Sequence, residues 1–297
     1  MIVSERSFRT FADLLSRRTG MKLQAEKAYL LAARLGAVMR RHECTSLDRL
    51  AELAAAKPAA VETDIAEAML NNETFFFRDR LPFEQLRDSI LPDLMQRNAA
   101  RRSIRIWSAA CSSGQEAYSI AMLLAEMESA LAGWRVEVFA SDLSQRALQK
   151  ARAGLYSQFE VQRGLDTPRL LRFFKKEGDN WQLADTVRRR VQFTAANLTA
   201  PAGTLGRFDI VFARNVLMYF TPEKKAAALG HLSEALAPGG YLLLGAAETI
   251  FAQRGLFSAD PVNRGYYRAG DGDAATRPAL SRESPRTAFH RRALSSR

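Results

Sequence analysis

The spacing of apolar side chains predicts a helical bundle over residues 4–70. Apolar residues recur there at intervals of three and four, which places them on one face of a helix. Thr63 or Asp64 is a candidate cap for a last helical turn that leads into Ile65. The predicted faces of the preceding helices contain Phe8, Phe11, Leu14 and Leu15, then Tyr29, Leu30, Ala33 and Ala37, and then Leu47, Leu50 and Leu53.

From residue 103 onwards, short apolar runs alternate with helical stretches. This alternation predicts parallel strands joined by helices, and hence an open α/β sheet. Two weaker strands, Trp181–Leu183 and Val191–Thr194, are expected to form a small β-hairpin subdomain over about residues 177–194, and Gly265–Arg268 is expected to close the edge of the sheet. The main predicted strands are Ile104–Ser108, Val136–Ala140, Phe208–Ala213 and Tyr241–Gly245, and the predicted helices are Glu116–Met127, Gln145–Arg152 and Pro222–Leu236.

These patterns divide the chain into successive parts. We expect a helical domain over residues 1–70, a linker and connecting helix over 71–102, and the sheet domain over 103–269. Residues 270–297 are rich in Arg, Ser, Pro and Ala with few large apolar residues, so we expect a disordered basic tail. The total of 297 residues agrees with two domains of about 150 residues each.

Composition and charge narrow the class of protein. Apolar residues make up 47% of the chain, and no apolar run approaches the ~20 residues that span a bilayer, so we expect no membrane insertion. The N-terminus lacks the pattern of an export signal, which favours a cytoplasmic protein. Cys44, Cys111 and the histidines fit no zinc-ligand spacing, so we expect no metal. The net charge of +11 is spread along the chain, which suits an acidic partner better than nucleic acid.

Candidate chemistry is confined to the carboxyl ends of the strands, where an open parallel sheet binds its ligand. After the first strand, a run of small residues opens a helix with Glu116 in its first turn. A carboxylate there attracts a cationic ligand, although it is equally a favourable charge at a helix N-terminus. After the second strand, Asp142 can accept hydrogen bonds from both hydroxyls of a ribose. Asp142 can alternatively cap the next helix, a role that Ser144 can also fill.

Further candidates follow the later strands and the domain junction. Asn197 can read an adenine edge, or it can form a turn. The polar pair Arg214-Asn215 interrupts a strongly apolar stretch, and a polar group there must be satisfied or used. At the junction, the phenylalanines of 75–77 are expected in the core, and the polar residues that flank them within 71–79 are expected to line a cleft.

Six segments carry a family resemblance when they are taken together and in order. They are NNETFFFRD (71–79), RIWSAACSSGQEAYSIAMLL (105–124), ASDLSQRALQKARAGLY (140–156), FTAANL (193–198), FDIVFARNVLMYF (208–220) and PGGYLLLGAAE (238–248). From about residue 5 to residue 268 the chain resembles the chemotaxis receptor methyltransferases, the CheR family, which use S-adenosylmethionine. The resemblance implies an all-helical N-terminal domain followed by a Rossmann-like methyltransferase domain.

The resemblance also implies a reaction, a partner and a set of contacts. The implied reaction transfers the methyl group of S-adenosylmethionine to glutamate side chains of chemoreceptors, and yields glutamate methyl esters and S-adenosylhomocysteine. The implied partner is the cytoplasmic helical bundle of a chemoreceptor, at membrane receptor arrays, which the N-terminal domain helps to bind. The implied cofactor contacts are Asn72, Thr74, Arg78, Glu116, Asp142, Asn197, Leu198, Asn215 and Val216, and Arg78, Asn215 and Tyr219 lie near the expected point of methyl transfer.

A glutamate acceptor needs no general base. Its carboxyl group has an ordinary pKa of about 4.3, so it is ionised at neutral pH and is already a nucleophile. The enzyme then has to align the carboxylate oxygen, the methyl carbon and the sulfonium sulfur, and such orientation is worth about 7–11 kcal/mol in favourable cases. We expect Glu116 to hold the cationic amino-acid part of the cofactor, Asp142 its ribose, and Arg78 its carboxylate.

Three departures from the family pattern bear on the site and the partner. Cys111 stands where the family commonly has alanine, a small change. The segment Glu177–Leu183 is short for the subdomain that docks a receptor's C-terminal pentapeptide in some members, which argues against such tethering. The basic cluster of the second helix is reduced to Lys27, Arg34, Arg40 and Arg41.

Two other functions compete with this one. Nucleic-acid methyltransferases that act on amino groups resemble one another in an Asn/Asp-Pro-Pro-Tyr/Phe motif. Residues 214–217 of this chain, at the corresponding place, are Arg-Asn-Val-Leu and contain no proline. A non-catalytic module that senses the cofactor or serves as a scaffold in a chemosensory pathway would keep the fold. The competent residue at every implied cofactor position disfavours that module. The chain shows no extended apolar seam, which favours a monomer.

Overall fold

A computed structural model describes residues 3–56, 59–201, 205–250 and 255–270 of the chain. The predicted disordered tail therefore lies, apart from Gly270, outside the described residues. None of the helices in these ranges has the length and apolar character needed to cross a membrane.

The N-terminal bundle consists of α1 (Glu5–Thr19), α2 (Tyr29–Arg41), α3 (Leu47–Ala55) and α4 (Ala59–Met69). Ser4 caps α1 by accepting a hydrogen bond from the backbone N–H of Ser7, and Ser46 caps α3 in the same way. The predicted apolar faces of α1 and α3 pack into the core of the bundle. Its buried members include Phe11, Leu14, Leu15, Leu47 and Leu50.

The buried face of α2 is not the predicted one. Tyr29 is 67% exposed, and Ala33 and Ala37 are also exposed. Two faces of this helix satisfy the same spacing, and the core takes the one with the larger aliphatic side chains because it removes more apolar area from water. The residues that pack inward are Leu31, Leu35, Val38 and Met39. The predicted cap at Thr63 or Asp64 is also wrong, because both residues lie inside α4.

A helical connection joins the bundle to the sheet domain. It contains α5 (Leu81–Gln85), a π-helical turn (Leu86–Ile90) and α6 (Leu91–Arg97). In chain order, the sheet domain then contains β1 (Ser103–Ala109), α7 (Gln115–Glu126), β2 (Arg135–Asp142), α8 (Gln145–Ala153), β3 (Leu155–Ser157), α9 (Gln158–Gln162), α10 (Thr167–Phe173), β4 (Phe174–Glu177), β5 (Asn180–Leu183), α11 (Asp185–Arg188), β6 (Val191–Ala195), β7 (Phe208–Ala213), a 3-10 turn (Leu217–Tyr219), α12 (Pro222–Ala235), β8 (Leu236–Leu244), β9 (Phe257–Ala259) and β10 (Tyr266–Ala269).

The main sheet has seven strands in the order β6-β2-β1-β7-β8-β10-β9. The strands from β6 to β8 are parallel, and β10 and β9 continue the sheet antiparallel. In the centre, Ile106 pairs with Val138 on one side and with Ile210 on the other. The predicted α/β sheet with a helical domain before it is confirmed, as are its main strands and helices.

Both faces of the sheet are covered, so its side chains alternate between two cores. In β7, Ile210 and Phe212 enter the core on the side of α5, α6 and α7, whereas Val211 and Ala213 enter the core on the side of α12. Every residue of β7 is buried, as expected for a strand covered on both faces. Because both faces are covered, a site can form only in the loops at the ends of the strands.

Two predictions about the smaller strands are wrong. Val191–Ala195 forms no hairpin with Trp181, because it pairs parallel with β2 at the edge of the main sheet. The small subdomain is instead a three-stranded sheet in the order β3-β5-β4. The predicted closing strand, β10, lies between β8 and β9, so β9 forms the edge. Strands of three and four residues offer too few positions for alternation to show which strand is their neighbour.

Candidate active site

An open cleft lies at the carboxyl ends of the parallel strands. Its walls come from both domains: the end of α1 and the junction segment on one side, and the loops that follow β1, β2, β6 and β7 on the other. The fold brings all the predicted site residues together around this cleft. They are Asn72, Thr74, Arg78, Glu116, Asp142, Asn197, Leu198, Asn215, Val216 and Tyr219.

Asp142 ends β2 and is held by two backbone amides. Its Oδ2 accepts a hydrogen bond from the Ser112 N–H at 2.7 Å, and its Oδ1 accepts one from the Ser144 N–H at 2.8 Å. Burial raises the pKa of Asp142, and these two amides oppose that rise. Ser144 caps α8 by accepting from the Ala147 N–H, so the alternative role of helix cap is filled without Asp142. Each oxygen of Asp142 keeps a lone pair for a further donor.

Glu116 lies in the first turn of α7 and is buried. Its Oε1 accepts a hydrogen bond from Ser108 Oγ at 2.8 Å, and its Oε2 lies 3.1 Å from Arg214 Nη1. Burial raises the pKa of Glu116, and the Arg214 guanidinium lowers it. The carboxylate is thus more than a favourable charge at a helix end, because it takes part in a buried network.

Arg214 follows β7 and is the buried cation of the cleft, with its side chain 1% exposed. Its Nη2 donates to Asp79 Oδ2 at 2.6 Å and to the Arg78 carbonyl at 2.9 Å. Within the described part of the chain, its Nε has no hydrogen-bond partner. These contacts largely satisfy the polar pair noted in the sequence, and they join the junction segment to the sheet domain. No local sequence pattern identifies Asp79 as the partner of Arg214.

Arg78 presents its guanidinium at the cleft. Its Nη1 donates to the Glu73 carbonyl at 3.3 Å, and its Cζ lies 5.4 Å from the centre of the Phe75 ring. Within residues 3–56, 59–201, 205–250 and 255–270, no carboxylate pairs with it at 4 Å or less. A planar fork of donors without a carboxylate partner is suited to a carboxylate of a ligand.

The loop after β7 is shaped by a residue that the sequence analysis did not single out. Asn215 has a left-handed backbone with φ of 59°, and the Glu248 carboxylate accepts hydrogen bonds from the N–H groups of Asn215, Val216 and Met218. This arrangement places Tyr219 at the cleft, where its hydroxyl accepts a hydrogen bond from Asn71 Nδ2 at 2.7 Å. The signal that could have found Glu248 is an acid, buried here, just after an apolar strand.

The Asn197 side chain is engaged within the protein. Its Oδ1 accepts hydrogen bonds from the N–H and the hydroxyl of Thr199 at 3.0 and 2.9 Å, and its Nδ2 donates to the Arg18 carbonyl at 3.0 Å. Of the two alternatives for this residue, this pattern favours the turn over the adenine reader. Asn197 thereby also joins the sheet domain to the end of α1.

The segment after α1 forms a wall that sequence reasoning missed. Met21 pairs with Phe220 in an antiparallel bridge. The Lys22 N–H donates to the Tyr219 carbonyl at 2.8 Å, and the Thr221 N–H donates to the Gly20 carbonyl at 3.0 Å. The N-terminal domain is therefore bonded through its backbone to the loop that carries Tyr219.

The charged groups of the cleft fit S-adenosylmethionine. The two buried carboxylates can accept hydrogen bonds from hydroxyl and ammonium groups, and the Arg78 guanidinium, which pairs with no carboxylate of the described residues, can donate to a carboxylate of a ligand. Among the described residues, no group of three or more His, Cys, Asp and Glu side chains is arranged to hold a metal ion.

Comparison with known proteins places the chain in a family. Chemotaxis protein methyltransferase 1 of Pseudomonas aeruginosa is 40% identical over 254 residues, which cover 84% of this chain and 92% of that protein. The chemotaxis protein methyltransferase of Vibrio parahaemolyticus is 40% identical over 252 residues, which cover 84% and 90%. Residues 6–66 match the model of the CheR methyltransferase all-alpha domain, and residues 72–265 match that of the CheR methyltransferase SAM binding domain. The chain therefore belongs to the CheR methyltransferase family.

Proposed function

We propose that the protein transfers the methyl group of S-adenosylmethionine to glutamate side chains of chemoreceptors, and so forms glutamate methyl esters and S-adenosylhomocysteine. The observation that carries the proposal is the cleft in which Asp142, Glu116 and Arg78 come together. S-adenosylmethionine, when bound, supplies a methyl group on a positively charged sulfur. Membership of the family supports the general part of this proposal, S-adenosylmethionine-dependent methylation in chemotaxis.

Asp142 would hold the ribose. Its two oxygens are fixed by the amides of Ser112 and Ser144 and retain free lone pairs, so they can accept from two neighbouring hydroxyls. Leu198 and Val216 would contact the base of the nucleoside, because apolar side chains in a pocket cover the flat face of a ring. The Asn197 side chain forms a turn, so it would line the pocket without donating a hydrogen bond to the base.

Glu116 and Arg78 would hold the amino-acid part of the cofactor. Glu116 attracts the ammonium group, and Arg214 beside it favours the charged form of this buried carboxylate. Arg78 donates to the ligand's carboxylate. Asn72 and Thr74 line the same wall, and the Ser112 hydroxyl fixes that wall by donating to the Asn72 carbonyl at 2.7 Å.

The acceptor carboxylate would enter beside Tyr219 and Asn215. Among the described residues that line the cleft there is no histidine or cysteine, and a glutamate acceptor needs none because it is ionised at neutral pH. The chain's contribution is then orientation and exclusion of water, which the interdomain walls support. The transfer then uses no catalytic proton acceptor.

The partner would be the cytoplasmic helical bundle of a chemoreceptor, approached from the cytoplasm. The net charge of +11 favours an acidic helical surface. The turn between β4 and β5 is short, with only Gly178 and Asp179 between the strands, and this supports the expectation that the protein does not tether to a receptor tail.

A titration and a transfer assay test the proposal. S-adenosylmethionine and S-adenosylhomocysteine are titrated calorimetrically into the wild type, Asp142→Ala and the exposed control Asp179→Ala. We expect binding by the wild type and the control, and its loss in Asp142→Ala. Wild-type protein should then add base-labile methyl groups to a receptor cytoplasmic fragment, located on glutamates by mass spectrometry. Absence of ligand binding by folded wild type, or labelling of a different chemical group, would overturn the proposal.

A further inference from the structure

Glu248 forms a carboxylate clamp on the loop that follows β7. The side chain is buried, and its two oxygens accept hydrogen bonds from four backbone N–H groups. The donors are Asn215 at 2.6 Å, Gly245 at 2.9 Å, Val216 at 3.0 Å and Met218 at 3.1 Å. Glu248 does not itself line the cleft, whereas Asn215, Val216 and Tyr219 do.

The clamp holds the loop in a particular backbone shape. Asn215 has φ of 59°, a left-handed conformation that is uncommon outside glycine, although asparagine adopts it more readily than most residues. The N–H groups of Asn215, Val216 and Met218 all point to one carboxylate instead of to neighbouring carbonyls. Without the carboxylate these donors lose their partner, and the loop can then relax into a more favourable conformation.

Gly245 completes the clamp by its lack of a side chain. A Cβ atom at this position would lie 2.7 Å from Asn215 Nδ2 and 2.8 Å from Glu248 Oε2. Only glycine lets the end of β8 approach the loop and the carboxylate this closely. The last strand of the parallel part of the sheet thus determines the position of the loop after its neighbour, β7.

We infer that Glu248 is a positioning residue for the cleft: its carboxylate fixes the loop so that Asn215, Val216 and Tyr219 face the cofactor and the acceptor. The inference rests on the proposed function only for the methyl-transfer step. The effect of Glu248 on cofactor binding follows from the shape of the cleft wall and is measured separately from methyl transfer.

The test compares Glu248→Gln with Asp260→Asn. Asp260 is a matched control because it is also buried and its Oδ1 also accepts from backbone N–H groups, those of Val262 and Asn263, but it lies outside the cleft. Glutamine keeps the size of Glu248 but turns an NH₂ group towards N–H donors. We expect Glu248→Gln to weaken S-adenosylhomocysteine binding about ten- to a hundredfold and to lower kcat, while Asp260→Asn lowers the unfolding temperature and leaves both unchanged.

Two further variants keep the test decisive if Glu248→Gln does not fold. Glu248→Asp keeps the charge with a shorter reach, and Gly245→Ala keeps the carboxylate but separates it from Asn215. Both should show a smaller loss of affinity in the same direction. Affinity and kcat within about twofold of the wild type in a folded clamp variant would overturn the inference. A wild type that binds S-adenosylhomocysteine but methylates no receptor would instead overturn the proposed function and leave the binding comparison intact.

Discussion

Arg214 and Glu116 form a buried ion pair at the cleft, with Nη1 of the arginine 3.1 Å from Oε2 of the glutamate. Their side chains are 1% and 11% exposed, so little water shields either charge. The pair joins the end of β7 to the start of α7, two elements that contribute side chains to the same core. Glu116 therefore depends on Arg214, and Arg214 on Glu116 and Asp79, for partners that compensate their buried charges.

Replacing Arg214 alone should strongly destabilise the protein. Arg214→Met leaves Glu116 and Asp79 without their cation, and breaking a buried pair in this way typically costs about 3–5 kcal/mol. The double variant Arg214→Met with Glu116→Gln removes both charges of the pair and should recover part of that loss. The free energy of unfolding, measured by urea denaturation, checks both expectations.

The exposed pair Arg135–Glu137 provides a control for this experiment. The Arg135 side chain is 76% exposed, so Arg135→Met should cost less than about 1 kcal/mol. The single variants Arg214→Met and Glu116→Gln are measured beside the double variant. If the double variant loses as much stability as the sum of these two, Arg214 and Glu116 are not coupled and the expectation is wrong.

The affinity for S-adenosylhomocysteine should rise with pH. Burial raises the pKa of Asp142 and of Glu116 above their ordinary values of 3.8 and 4.5. A ligand that donates hydrogen bonds to these groups favours their ionised forms, so binding strengthens as the pH rises through the raised pKa values. Calorimetric titrations at several pH values should show this trend in the wild type and a flatter one in Asp142→Asn and Glu116→Gln.

The stability of the ligand-free protein should respond to these groups in the opposite sense. In the folded state they hold protons that the unfolded chain releases above pH 3.8 and 4.5. Their contribution to stability is full below those values and is lost as the pH rises through the folded pKa. Subtracting the unfolding free energies of Asp142→Asn from those of the wild type at each pH isolates the effect of Asp142. A difference that grows in favour of the wild type as the pH rises would contradict it.

Much of the site could be predicted because the carboxyl ends of parallel strands meet at one edge of a sheet. Glu116, Asp142 and Asn215 each follow a strand that the apolar pattern identified, so a parallel sheet places all three at the same edge. The roles of single side chains were less accessible. Whether Asn197 forms a turn or reads a base depends on contacts with Thr199 and Arg18 that its local sequence does not encode.

The contacts between the domains could not be predicted from local patterns. Arg214 and its partner Asp79 are 135 positions apart, and the bridge between Met21 and Phe220 likewise joins distant parts of the chain. Both depend on how the helical bundle docks on the sheet domain. Periodicity indicates which face of an element is apolar, but not which distant backbone it meets.

Ser144 should contribute to both stability and cofactor binding. Its hydroxyl caps α8, donates to the Glu67 carboxylate and accepts from Asn72 Nδ2 at 3.3 Å. Ser144→Ala should cost about 1 kcal/mol of unfolding free energy, as the loss of a serine cap typically does. It should also weaken S-adenosylhomocysteine binding several-fold, because the wall beside Asp142 loses its link to the junction segment. Calorimetric titration and urea denaturation measure the two effects.

Ser157→Ala provides the matched control for Ser144→Ala. Ser157 caps α9 in a capping box with Glu160, and neither residue lines the cleft. Its replacement should lower stability by a similar amount and leave ligand affinity unchanged. Equal affinities in the two variants would show that the contacts of Ser144 with Asn72 and Glu67 do not support the cofactor site.

Gly164 should tolerate no side chain, because it lies against the backbone that leads into Arg78. Its φ is +94°, and a Cβ atom would lie 1.8 Å from the Phe76 carbonyl oxygen. Gly164→Ala therefore forces the segment around 75–78 to move. We expect a loss of roughly 3 kcal/mol or more from strain and overpacking together.

The comparison with Gly178→Ala separates that displacement from backbone strain alone. Gly178 also has a left-handed backbone, with φ of +58°, but nothing lies within 4 Å of its Cβ position. Gly178→Ala should cost only about 1–2 kcal/mol and leave S-adenosylhomocysteine affinity unchanged. Gly164→Ala should lose affinity as well, because Arg78 and Thr74 line the cleft on either side of the displaced backbone. If urea denaturation and calorimetry find the two variants alike, the position of Arg78 does not depend on the close packing of Gly164 against Phe76.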